Sequence, residues 1–173
     1  MFRDYRYTVS LRIWHPTAHP DRFTEALRLT PDAVDIAGQP RMRKGRVMPI
    51  VAKTSYWCCG LGHDPALDVA AFLHERARAL SPHRAVFDAI AEEGGWAEFF
   101  VGFFAEDFNC GFDLSPELQR VCAELHLSLG FDVYGYRAEE VEDESAHPHP
   151  PDVDAVLDAA LVAKAAAETG ASS

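Results

Sequence analysis

Long apolar runs are missing from this chain of 173 residues. No stretch approaches the roughly 18 consecutive apolar residues that suggest a membrane-spanning helix, so a helical membrane protein is excluded. The opening residues MFRDYRYT carry charges and no apolar block, and no export signal is read there. Cysteine is scarce, with four in all. A domain of this length buries roughly 70% of its unfolded surface, so it needs neither a disulfide framework nor a structural metal. No heptad, collagen period or solenoid repeat is present. What is there is ordinary: 48% hydrophobic and 25% charged residues, with 11 Gly and 11 Pro, the composition of a globular chain. The expectation is a soluble cytoplasmic protein consisting of one domain with an appendage.

Positive charge is also short. The chain has 16 Lys and Arg against 27 Asp and Glu, a formal charge of −11. Most of it belongs to the end of the chain, where Ala138 to Ser173 holds nine acids against Lys164 alone, a local charge of −8 that leaves −3 for the rest. A nearly balanced body with an acidic end does not adhere broadly to DNA, because non-specific binding depends on neutralising phosphates. One stretch runs the other way. Between Gln39 and Thr54 lie Arg41, Arg43, Lys44, Arg46 and Lys53 with no acid among them.

Periodicity supplies the elements. Tyr7, Val9, Leu11 and Ile13 alternate with Thr8, Ser10, Arg12 and Trp14, which predicts a strand with one buried face. The prolines of HPTAHP end it, and Asp21 to Leu29 reads as a short helix. DIAGQPRMRKGRVMPIV then reads as two short extended pieces joined by a basic loop, and Ser55 to Leu61 as a strand. Helices are expected over Pro65–Leu80 and Pro82–Glu92, the second with Ser81 as N-cap before a first-turn proline. Glu98 to Phe104 places aromatic residues on both faces, the pattern of a central strand covered on both sides. Ser115 and Pro116 open another helix, and Leu129 to Tyr136 closes the series as a strand.

Two strand-helix-strand units, Tyr7–Leu61 and Glu98–Tyr136, predict an α+β fold with a ferredoxin-like sheet of about five strands, the helix pair being an insertion between them. The domain is expected over residues 1–137. Residues 138–154 have too little apolar content to fold alone and read as a disordered acidic linker, and 155–173 as an alanine-rich terminal helix.

The order VSLRIWHP, AGQPR, SYW, EFFVGFF, SPEL and LGFDVYG, spread over Tyr5 to Tyr136, resembles the bacterial family catalogued as domain of unknown function 4279. SLRIWHP and SYW are its most specific pieces. The resemblance implies a compact cytoplasmic domain and brings no activity with it. The acidic end is extra to that pattern.

Catalytic and metal motifs fail on spacing. His15, His19, Cys58, Cys59 and His63 are zinc-ligand types, yet His15 and His19 flank prolines off any helix and the adjacent Cys58 and Cys59 point to opposite sides of a strand. His74 and Glu75 would need a second histidine where Arg78 stands. Asp107 to Asp113 echoes a calcium loop but has Gly111 and Phe112 where an oxygen ligand and a glycine belong. Gly60 and Gly62 lack the third glycine of a dinucleotide loop, with Pro65 in its place. No cofactor or metal is expected.

The residues left with chemistry to offer are Trp14, His15 and Trp57 beside the basic residues Arg41, Arg43 and Lys44. They are the expected ligand- or partner-binding set. The first functional expectation is a non-catalytic protein-interaction module of the immunity or inhibitor type, since charge accelerates association with a complementary partner. The alternative is a small-ligand or anion-binding pocket, or a cryptic enzyme, with His15 as proton carrier and the arginines holding an anion. Weak RNA binding through Phe100 and Phe103 is a second alternative.

Overall fold

The computed structural model describes residues 4–43 and 45–135. The acidic linker and terminal helix expected after residue 137 lie outside the described residues, as does Lys44. The described elements are β1 (Tyr5–His15), α1 (Asp21–Leu27), β2 (Ala33–Asp35), β3 (Pro40–Arg43), β4 (Arg46–Val51), β5 (Ser55–Gly62), α2 (Val69–Leu80), α3 (Arg84–Glu92), β6 (Trp96–Ala105), α4 (Pro116–Glu124) and β7 (Leu127–Tyr134).

Strands β2, β5, β1, β6 and β7 form one sheet in that order, and β3 with β4 forms a separate two-stranded hairpin. The fold is α+β with a mixed five-stranded sheet. β1 runs antiparallel to both β5 and β6, whereas β6 and β7 are parallel, joined through α4. The two expected units therefore differ in strand direction, antiparallel in the first and parallel in the second. A two-residue hairpin cannot join parallel strands, and α4 supplies the crossover that they need.

One face of this sheet makes the core. Tyr5, Tyr7, Val9, Leu11 and Ile13 of β1 pack with Phe99, Val101 and Phe103 of β6 and with Phe23, Phe72, Leu73, Phe87, Ile90, Leu118 and Val121 from all four helices. The helices thus cover a single face. The opposite face carries no helix among the described residues, so β6 is not covered by helices on both sides: Phe100 and Phe104 there are half-buried.

Helix ends follow their caps. The Asp68 side chain accepts from Ala71 N at 2.7 Å, so α2 starts at Val69 rather than at Pro65. Ser115 caps α4 as expected, accepting from Leu118 N at 3.2 Å. Ser81 does not act as an N-cap. Its hydroxyl donates back to Ala77 O at 3.2 Å, and a 3-10 turn, Ser81–His83, carries α2 almost directly into α3.

Candidate functional site

Register decides which of the expected site residues meet. Ile13 lies opposite Trp57 and Trp14 opposite Tyr56 across β1 and β5, so Trp14 and Trp57 point to different faces. Trp57 is in the core, where its indole N–H donates to Thr24 Oγ1 of α1 at 3.0 Å. Trp14 is buried on the helix-free face, stacked on Trp96 with ring centres 4.7 Å apart and beside Tyr56 at 5.1 Å. The structure does not bring the two tryptophans into one patch.

His15 lies on the helix side with Ile13 and is buried. Its Nδ1 accepts from the backbone N–H groups of Thr17 and Ala18 at 3.1 and 2.8 Å, which assigns the hydrogen to Nε2. That Nε2–H donates to the Glu93 carboxylate at 3.0 Å. Arg22 of α1 holds the same carboxylate through both terminal nitrogens. The forked guanidinium holds the Glu93 carboxyl well below its ordinary value, down to about 2, against an opposing effect of desolvation, and the His15 contact adds a smaller lowering. Both ring nitrogens of His15 are committed. The residue fixes the turn after β1 to the end of α3 and to α1, a structural duty that leaves no nitrogen for proton transfer.

Gly95, next to this knot, has no room for a side chain: an added Cβ would lie 2.7 Å from Trp14 O and 3.1 Å from the His15 ring.

The helix-free face has its own order. Arg12, 5% exposed, lies 3.4 Å above the Phe100 ring and 3.7 Å from the Glu98 carboxylate. Phe104 stacks on Tyr134 at 4.8 Å and Trp14 on Trp96, so the aromatic rings of this face are already engaged with one another or with a guanidinium. A sheet that reads bases by stacking needs open ring faces, and this arrangement has used one face of each. Burial and the neighbouring Cys58 push the Tyr56 phenol far above its ordinary value, so it stays a neutral O–H.

The basic residues go elsewhere. Arg41 pairs with the buried Asp35 carboxylate at 3.4 Å, and Arg43 closes the hairpin opposite Arg46. The root of the hairpin is fixed by Gly38 N donating to Ala52 O at 2.8 Å, Ala52 N to Gln39 O at 2.9 Å and Ala37 N to Ser55 Oγ at 3.1 Å. Beyond this root, Met42, Val47, Ile50 and Val51 are exposed, Val47 by 67% and Ile50 by 55%. These apolar residues were missing from the sequence-derived set. For Val47, Ile50 and Val51 the signal is present in RVMPIV, an apolar run inside a segment with several cations and no acid, but alternation alone does not say that both faces of the hairpin meet solvent.

A cleft of about 540 Å³ opens between the start of α2 and the loop before α4, with Asp4, Asp68 and Asp113 on its walls. Among the described residues no group of three His, Cys, Asp or Glu could hold a metal ion.

The family described as Domain of unknown function (DUF4279) matches residues 5–136. The chain belongs to this family. The DUF4279 domain thus begins where β1 begins and takes in every described element through β7, the basic hairpin included. Its SLRIWHP piece is the end of β1 with the His15 turn, and its SYW piece is the start of β5 with Tyr56 and Trp57. No curated protein and no solved structure matches the chain. No helix among the described residues is long and apolar enough to cross a membrane.

Proposed function

We propose that this protein is a non-catalytic, cytoplasmic protein-interaction module, acting as immunity proteins and inhibitors do by occupying a partner, and that the β3–β4 hairpin is its contact surface. One observation carries the reading. Of the seven large apolar residues that are exposed among the described residues, four, Met42, Val47, Ile50 and Val51, lie on this one hairpin. An apolar cluster left in water on a rooted arm is the usual mark of a surface meant to be covered. Arg, enriched with aromatic and Met residues at interface centres, flanks that cluster as Arg41, Arg43 and Arg46. Binding rather than catalysis is supported by His15, whose two nitrogens hold the turn. The test is a photo-crosslinking side chain placed at Ile50, and separately at Val133, which is 62% exposed on the main sheet, in the cells that make the protein. Capture of a protein from position 50 but not from position 133 supports the reading. Equal yields, or none from position 50, overturn it.

A further inference from the structure

The proposed contact surface also specifies the chemistry of what it meets. We infer that the hairpin docks into an apolar patch rimmed by carboxylates on a partner protein, an inference that rests on the reading of the hairpin as the contact surface. The arm presents two kinds of group. Val47, Ile50 and Val51 offer aliphatic area, and Arg46 and Lys53 are exposed cations with no ion pair among the described residues. Arg43 and Lys44 add to the positive charge of the stretch by sequence, and no acid lies between Gln39 and Thr54 to offset it. The arm shows on a small scale how its cations are matched, because Arg41 at its root is met by the buried carboxylate of Asp35 at 3.4 Å. Carboxylates at the rim of a partner would do for Arg46 and Lys53 what Asp35 does for Arg41, while the apolar centre covers the valines and Ile50.

Other occupants fit less well. An anionic bilayer would attract the cations, yet the arm has no Trp or Tyr to anchor it at the headgroup level. Nucleic acid would use the cations but leave the aliphatic side chains in water, and the hairpin has no aromatic residue to stack on a base. Addition of a partner strand is disfavoured by Pro49 in the middle of β4, which removes a backbone donor as prolines do in guarded edge strands.

The experiment is a titration of the full-length protein, isotope-labelled and followed through its backbone amide resonances. The probes are a soluble peptide of alternating Glu and Leu, its Lys–Leu and Glu–Ser counterparts, and vesicles of phosphatidylcholine with phosphatidylserine, alongside a dilution series of the protein alone. The expected result is that the Glu–Leu peptide alone shifts the resonances of β3 and β4. Its affinity should fall at least about tenfold between about 50 and 500 mM salt, as screening of exposed charges requires. The same loss is expected in Val47→Ser/Ile50→Ser and in Arg46→Glu/Lys53→Glu, with the remaining resonances unmoved as a check that both variants fold. Equal binding of the Lys–Leu or Glu–Ser peptide, vesicle binding, shifts on concentration alone, or no response to any probe overturns the inference. If position 50 crosslinks to a protein while the Glu–Leu peptide fails, the partner chemistry is wrong and the contact surface stands; if position 50 captures nothing, both fall.

Discussion

The five-stranded sheet and the β3–β4 hairpin use the same residue types to opposite ends. In the sheet, Leu11, Ile13, Phe99 and Val101 are wholly enclosed under four helices. In the hairpin, Val47, Ile50 and Val51 stand in water on an element that no second layer covers among the described residues. An isolated two-stranded hairpin is marginally stable, and this one is held at its root by bonds to Ala52 and Ser55. The difference teaches that burial, not residue type, tells which apolar side chains stabilise the fold and which are left for contact.

Substitutions sharpen that contrast. The largest effect is expected for Phe99→Ala, which opens a void at the centre of the covered face and should cost about 3–5 kcal/mol in chemical denaturation. Arg12→Ala on the helix-free face should cost about 3 kcal/mol by the same measurement, since it strips Phe100 of its cover and leaves the Glu98 carboxylate half-enclosed without its guanidinium. Trp57→Phe keeps most of the apolar area but leaves Thr24 Oγ1 without the indole donor, for a loss of about 1–2 kcal/mol.

Acid separates the two regions in another way. The Glu93 carboxyl titrates at about 2 in the folded chain against an ordinary value near 4.3, so the folded state binds that proton less readily than the unfolded one. Its contribution is therefore present above the unfolded value and is lost as pH falls toward about 2. Melting followed by circular dichroism from pH 6 down to pH 2 should show a steeper decline for the native chain than for Glu93→Gln, with the hairpin variants tracking the native chain. Identical slopes for the native chain and Glu93→Gln would remove the knot of Arg22, Glu93 and His15 from the account. The smallest stability effect belongs to Val47→Ser/Ile50→Ser, expected within about 0.5 kcal/mol per exposed site.

Much of the covered face was legible in the sequence. The alternation through Tyr7, Val9, Leu11 and Ile13 is that of β1, and the Ser115–Pro116 pair marks the start of α4. Ser81 misleads because its hydroxyl has a nearer acceptor in the preceding helix, which no local pattern reveals. The site was less legible for a reason of register. A slip of one residue in the pairing of β1 with β5 exchanges the faces of every side chain, and the irregularity between Val9 and Ser10 lies in that very pairing. Sequence could therefore place Trp14 and Trp57 near each other without saying that a sheet lies between them. It could likewise count the cations of the hairpin but not foresee that Arg41 turns inward to Asp35 while Val47 and Ile50 turn out. The DUF4279 resemblance held over residues 5–136 and, carrying no activity, left the site to be read from geometry.

The central claim is that hairpin side chains serve contact and sheet side chains serve stability. It is tested most directly by one paired measurement on Val47→Ser/Ile50→Ser: the melting temperature of the purified chain, and the yield of the protein adduct crosslinked from a photo-reactive side chain at Met42 in the cells that make it. The account predicts an unchanged melting temperature with the adduct lost. A lowered melting temperature with the adduct retained would contradict it.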